Sequence, residues 1–130
     1  MSALDKTART DAAGDRRQIT VVFVDIVGSS TLASRTDPED MAEWLEAYYA
    51  RTRAAVEQHG GIVTEYLGDG VIACFGLERS DELAASHAVT SALELVKPLA
   101  PPPGSHEPVA LRVGIATGEV ATRSQAARRG

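Results

Sequence analysis

The sequence predicts an α+β fold in which an antiparallel sheet carries its helices on one face. Two observations lead to this fold. Apolar runs and helical repeats follow one another in the order strand, helix, strand, strand, helix, strand. A short Gly-Asp-Gly turn joins the second and third strands of this order, which is a hairpin signal. This order is the βαββαβ pattern of the ferredoxin-like sandwich.

The first predicted element is a strand over residues 19–25. This run is dense in β-branched and aromatic residues, which is typical of a strand covered on both faces, and it ends at the charged Asp25. The segment Gly28-Ser29-Ser30-Thr31 interrupts the pattern, and a short helix that starts near Ser29 is compatible with it.

The second predicted element is a long helix. Asp37-Pro38 is a typical helix start, the apolar residues between Met41 and Val56 keep helical spacing, and Gly60-Gly61 ends the helix. Its aromatic residues are Trp44, Tyr48 and Tyr49. We expect them to pack in the core or at a dimer interface, the alternative being a platform for a nucleotide base.

A hairpin follows, with strands at 62–67 and 71–75 on either side of the turn Gly68-Asp69-Gly70. The next helix begins after residues 80–82 and ends before Pro98. Its expected buried stripe consists of Ala84, Ala85, Ala88, Val89, Ala92, Leu93 and Val96. A proline-rich spacer then leads to a fourth strand over residues 109–116.

Both ends of the chain lack any periodic pattern. Residues 1–18 and 121–130 are therefore expected to be disordered tails, and the ordered domain is expected to cover residues 19–120.

Composition bounds the class of protein. The chain has 130 residues, which is the size of one globular domain, and its single Cys74 excludes an internal disulfide. The formal net charge of −5 disfavours binding to nucleic acid. No apolar run approaches the length of a membrane span, and the first residues do not resemble a signal peptide. A cytoplasmic location is expected.

The predicted topology brings two carboxylates to one edge of the sheet. A right-handed crossover makes the first and second strands parallel and places the third between them, so that Asp25 lies beside Asp69. Neighbouring carboxylates repel each other unless a proton or a cation lies between them, and Mg²⁺ is the expected cation. The loop over residues 26–31 offers N–H groups and hydroxyls to a phosphate. The alternative is an ordinary turn and loop, although the topology supplies Asp25 with a second acid instead of a base.

Four segments resemble the catalytic domain of class III nucleotidyl cyclases. They are Val22–Ser30 (VFVDIVGSS), Gly60-Gly61, Tyr66–Gly70 (YLGDG) and Leu111–Val120 (LRVGIATGEV). The resemblance covers about residues 18–120. It implies a ferredoxin-like core that holds two Mg²⁺ or Mn²⁺ ions per site. It also implies conversion of ATP or GTP to the 3′,5′-cyclic nucleotide and pyrophosphate, in cyclic nucleotide signalling.

The resemblance also implies roles for individual residues. Asp25 and Asp69 would be the catalytic residues and, with the backbone carbonyl of Ile26, the metal ligands. Val27, Gly28, Ser29 and Ser30 would bind phosphate. Glu65, four positions before the second aspartate, would read the base. A glutamate there suits the N–H groups of guanine, which favours GTP without deciding between GTP and ATP. The alternative is an exposed glutamate that contacts no ligand.

The pattern departs from the family after Gly118-Glu119-Val120. There the family continues with an Asn and an Arg, of which the Arg stabilises charge on the transferring phosphate, and its site forms between two subunits arranged head to tail. We therefore expect a homodimer or a pairing with another cyclase domain, and weak or no activity of this chain alone. The alternatives are a non-catalytic module that pairs with a complete cyclase subunit, and a fragment that folds poorly.

Overall fold

The computed structural model describes residues 15–122, in which one four-stranded antiparallel sheet has the strand order β2-β3-β1-β4. The elements are β1 (Asp15–Ile26), α1 (Ser29–Arg35), α2 (Pro38–Gln58), β2 (Ile62–Leu67), β3 (Gly70–Phe75), α3 (Ala84–Leu95) and β4 (Leu111–Thr122). The predicted α+β fold is thus confirmed, with β3 lying between β1 and β2.

The two outer bounds of the domain differ from the prediction. Residues 15–18, which lack an apolar pattern, belong to β1, and β4 continues to Thr122. The reason is the pairing of β1 with β4, which runs without a break from Asp15 opposite Thr122 to Ile26 opposite Leu111. Backbone hydrogen bonds extend both strands beyond their apolar part. The rest of the two expected tails, residues 1–14 and 123–130, lies outside the described residues.

The core lies between the helices and one face of the sheet. Val22 and Val24 of β1 and Phe75 of β3 are at most 2% exposed on this face, where they join a cluster with Tyr48 of α2. Within residues 15–122, the opposite face is open around Phe23, which is 51% exposed. The prediction that β1 is covered on both faces is therefore wrong, because its side chains alternate between the core and an uncovered surface.

The buried face of α3 is rotated from the predicted stripe. Ala84, Ala88 and Ala92 are buried as expected, but Val89 and Leu93 are 47% and 62% exposed. The exposed remainder of the predicted stripe is Ala85 and Val96. Ser91 and Leu95 lie in the core instead. Ser91 is accommodated because its hydroxyl donates to the carbonyl of Ala55 on α2, at 3.1 Å.

Within residues 15–122, none of the helices combines the length and the apolar character that crossing a membrane requires.

Candidate functional site

The structure brings Asp25 and Asp69 together. Val24 pairs with Val71 across β1 and β3, so the end of β1 lies beside the turn between β2 and β3. Both aspartates line one cavity of about 520 Å³ on the uncovered face of the sheet. The two aspartates therefore share one cavity at the end of the sheet where the topology places them.

The rest of this cavity is largely apolar. Phe23, Leu67 and Ile72 contribute its side-chain walls, and Gly70 and Gly114 leave room because they have no side chain. Phe23 and Leu67 are each about half exposed to solvent. An apolar surface beside two carboxylates suits a ligand that has a flat ring at one end and a positive charge, or a bound cation, at the other.

Asp25 has a basic partner that the sequence analysis missed. Nε of Arg112 donates to Oδ1 of Asp25 at 3.1 Å, and the two side chains are 67% and 47% exposed. The expectation that the topology supplies an acid instead of a base is wrong, because Arg112 of β4 lies directly opposite Asp25. An ion pair this exposed contributes about 0–1 kcal/mol to stability, so an incoming cation can replace it at little cost.

The turn that carries Asp69 is held by two tyrosines of α2. The hydroxyl of Tyr48 donates to the backbone carbonyl of Asp69 at 2.9 Å, and the hydroxyl of Tyr49 donates to the carbonyl of Gly68. Burial, and then the negative charge of Asp69, raise the pKa of Tyr48 above its usual value. The phenol therefore stays protonated and can act as a donor. Helical spacing alone predicts core packing for Tyr48 and gives no sign of this second contact.

The loop Val27–Ser30 adjoins Asp25 in the chain but does not line the same cavity. Gly28 has a φ of 71° and immediately precedes α1. The N–H of Val27 donates to the carbonyl of Ala110 at 2.9 Å, so this group is already used within the protein. Val27 and Gly28 line a separate cavity of about 670 Å³ with residues from 104 to 110. Among the described residues, the N–H groups of Gly28, Ser29 and Ser30 do not donate to a backbone carbonyl in this way.

Glu65 lies on the same face of the sheet as Asp25. It is opposite Ile72, which is in turn opposite Phe23. A register shift between Val63 and Glu65 produces this placement. Without the bulge, Glu65 would point toward the helices, because one residue reverses the direction of every side chain that follows. Its side chain is exposed and is not among those that line the cavity.

The donor set fits a cation that arrives with a phosphate ligand. The described residues contain no group of three or more His, Cys, Asp or Glu side chains that can hold a metal ion. Mg²⁺ typically takes one or two carboxylates and fills its other positions with water and substrate phosphates. Asp25 and Asp69 meet that requirement, and they do not make a closed metal centre.

The sequence of this chain matches a known protein family. Residues 12–129 match the model of the adenylate and guanylate cyclase catalytic domain. The chain is 35% identical over 107 residues to an uncharacterized protein of Rhizobium meliloti, a match that covers 80% of this chain and 10% of that protein. It is 30% identical over 99 residues to an uncharacterized protein of Mycobacterium tuberculosis, which covers 72% of this chain and 18% of that protein.

Solved structures give the same result. The guanylate cyclase domain of RhGC from Catenaria anguillulae, in complex with GTP, has a TM-score of 0.72 and 26% identity, covering 82% of this chain and 60% of that one. The monomeric guanylyl cyclase domain of the RhoGC fusion protein from Blastocladiella emersonii has a TM-score of 0.73 and 25% identity, covering 82% and 64%. The chain thus spans less than two thirds of these structures and at most about a fifth of the two curated relatives.

Proposed function

Because this chain belongs to the adenylate and guanylate cyclase catalytic domain family, we propose that it binds a nucleoside triphosphate with Mg²⁺ or Mn²⁺ at Asp25 and Asp69. In this proposal the chain supplies the metal-binding half of a site that forms 3′,5′-cyclic nucleotide and pyrophosphate from ATP or GTP. The observation that carries the proposal is the convergence of the two carboxylates on one cavity of the uncovered sheet face.

Each predicted site residue has a place in this proposal. The carboxylates of Asp25 and Asp69 and the backbone carbonyl of Ile26 hold the cations. Two such ions, when bound, activate the ribose 3′-hydroxyl and neutralise phosphate charge. The phosphates extend toward Gly28, Ser29 and Ser30, and Val27 joins them only if its N–H leaves the carbonyl of Ala110.

The base lies over the apolar part of the sheet face. Phe23 and Ile72 offer a surface to a flat ring, and Glu65 lies one strand away on the same face. A carboxylate accepts hydrogen bonds from the N–H groups of guanine. Glu65 therefore favours GTP over ATP in this proposal.

A second cyclase domain completes the site. The uncovered sheet face carries half-exposed apolar side chains, Phe23 and Leu67, beside the two carboxylates. A partner domain on this face would cover the nucleotide and bring the groups that stabilise charge on the transferring phosphate. That partner is another domain of the family that carries the Asn and the Arg. A second copy of this chain would cover the same face without supplying those groups, because its sequence departs from the family pattern after Gly118-Glu119-Val120. The second candidate function, a non-catalytic module that pairs with a complete cyclase subunit, uses the same apolar surface.

Mixing the chain with a complete family member tests the proposal. In that partner, both metal-binding aspartates are replaced by asparagine, so that the only intact pair is on this chain. We expect Mn²⁺-dependent release of cyclic nucleotide and pyrophosphate from the mixture, and little from either protein alone. Co-elution without product would overturn the catalytic role and support the non-catalytic module. Separate elution without product would contradict both functions.

Replacing Arg112 is expected to affect the affinity for Mn²⁺ alone and the affinity for Mn²⁺–GTP differently. Its guanidinium pairs with Asp25 and lines the cavity, so it competes with a bare cation and attracts a polyphosphate. We expect Arg112→Met to leave the affinity for Mn²⁺ alone unchanged or up to about threefold higher. The same change should weaken binding of Mn²⁺–GTP by about tenfold, because a charged hydrogen bond to phosphate is lost. Calorimetric titration measures both affinities.

The matched control for this prediction is Arg16→Met. Arg16 forms a similar exposed ion pair with Glu119, at 3.2 Å and between the same two strands, but at the far end of the sheet. It should change neither affinity. Equal effects of the two substitutions on Mn²⁺–GTP would contradict the assigned role of Arg112.

A further inference from the structure

We propose that Tyr48 and Tyr49 are positioning residues, which hold the turn that carries Asp69 in the conformation needed for cation binding. This inference deepens the proposed function and rests on it. It concerns two neighbouring side chains of α2 that do not line the cavity shared by Asp25 and Asp69 and that act through the backbone of the turn.

The contacts are paired. The hydroxyl of Tyr48 donates to the carbonyl of Asp69 at 2.9 Å, and that of Tyr49 donates to the preceding carbonyl, that of Gly68. Two consecutive peptide groups of the turn are therefore fixed from one helix. A turn held at two adjacent carbonyls cannot rotate a peptide plane without breaking one of these bonds, so the direction of the Asp69 side chain is restrained.

The turn needs such support because its own strand supports it weakly. β2 is the edge strand of the sheet and pairs only with β3 among the described strands. Its pairing is interrupted by the register shift between Val63 and Glu65. Gly68, with a φ of 61°, adds a residue of high conformational freedom beside Asp69.

The tyrosines themselves are firmly placed. Tyr48 is 1% exposed and its ring stacks on Trp44, with ring centres 5.8 Å apart and planes at 15°. The ring of Tyr49 packs on that of Tyr66 of β2, with centres 4.8 Å apart. The first tyrosine thus joins the turn to the core, and the second joins it to the strand that leads into the turn.

The experiment compares Tyr48→Phe, Tyr49→Phe and the double variant with wild type. Each change removes one hydroxyl and keeps the ring, so the packing of α2 is retained. The control is Tyr66→Phe. It removes the hydroxyl of the tyrosine that packs on Tyr49 and leaves both hydrogen bonds to the turn in place. Two quantities are measured: the affinity for Mn²⁺ alone by calorimetry, and amide hydrogen exchange at Asp69 and Gly70 in the metal-free protein.

We expect the double variant to bind Mn²⁺ about tenfold more weakly, as for loss of the partners that orient a metal ligand, and each single variant about threefold. Exchange at Asp69 and Gly70 should be faster in the variants, while Tyr66→Phe matches wild type in both measurements. Tyr49 is less buried than Tyr48, so its replacement disturbs the core less. Tyr49→Phe alone therefore tests the positioning role if the double variant fails to fold.

The outcomes separate this inference from the proposed function. If wild type binds Mn²⁺ through Asp25 and the folded variants bind it equally well, the positioning role is overturned and the proposed function stands. If wild type binds neither Mn²⁺ nor Mn²⁺–GTP in a way that depends on Asp25, both are overturned. Faster exchange at the turn with unchanged Mn²⁺ affinity would also contradict the inference, because the restraint would then have no effect on the site.

Discussion

Replacing Asp25 with asparagine is expected to weaken binding of Mn²⁺–GTP by about a hundredfold while the protein stays folded. Asparagine keeps the shape of the side chain and removes its charge, so that one of the two carboxylates in the cavity is lost. Loss of a charged partner costs about 3 kcal/mol, and every 1.4 kcal/mol changes affinity about tenfold. Stability should change little, because the ion pair with Arg112 is exposed.

Calorimetric titration of wild type and Asp25→Asn measures this effect. The matched control is Glu119→Gln, which removes the carboxylate from the ion pair between Arg16 and Glu119, on the same two strands but at their opposite end. It should bind Mn²⁺–GTP like wild type. An unchanged affinity in Asp25→Asn, or an equal loss in Glu119→Gln, would show that binding does not take place at the Asp25–Asp69 edge.

Replacing Gly61 with alanine is expected to lower the free energy of unfolding by about 1–3 kcal/mol, the usual cost of overpacking a core. A Cβ at this position would lie 2.6 Å from two atoms of the Phe75 ring. Phe75 is fully buried, so its ring has no free space into which it can move. Gly61 immediately precedes β2, and the strain therefore falls on the strand that leads to Asp69.

Urea unfolding of Gly61→Ala tests this expectation against Gly118→Ala. Gly118 lies in β4, and a Cβ there would have no atom within 4 Å outside its chain neighbours. The control should unfold at the same urea concentration as wild type or slightly above it. Coincident unfolding curves for the two variants would mean that the contact between Gly61 and Phe75 does not limit side-chain size at this position.

The sequence carries enough information for the fold and for the meeting of the two aspartates. Both follow from the order of elements, because the crossover rule fixes β3 between β1 and β2 and so brings Asp25 beside the turn at Asp69. Local signals such as Asp37 before Pro38 give the helix start correctly, and the Asp37 side chain does accept from the N–H of Glu39 at 3.1 Å.

What the sequence does not carry is register. Arg112 was missed because a pattern of apolar residues predicts that β4 exists but not which of its residues lies opposite Asp25. The side of the sheet that Glu65 occupies depends on one extra residue in β2, which composition does not indicate. A Gly-rich turn or a polar residue within a strand, such as Thr64, is at most a weak sign of such a bulge.

Side-chain hydrogen bonds across the core were likewise beyond prediction. Tyr48 has the spacing of any buried residue of α2, and only the three-dimensional packing shows that its hydroxyl reaches the turn at Asp69. The rotation of α3 has a similar cause. Its small and apolar residues cover more than one face, so their spacing does not single out the buried one, and the face that is buried includes Ser91, whose hydroxyl donates to the carbonyl of Ala55.

The most direct test of the central claim is the anomalous scattering of Mn²⁺ in crystals grown with Mn²⁺ and a non-hydrolysable GTP analogue. Our account predicts manganese within about 2.0–2.6 Å of carboxylate oxygens of both Asp25 and Asp69, the usual range of such metal–oxygen bonds. It also predicts that Arg112 leaves Asp25 and contacts the phosphates. Manganese bound only at other acidic residues, with the ion pair between Asp25 and Arg112 intact, would contradict it.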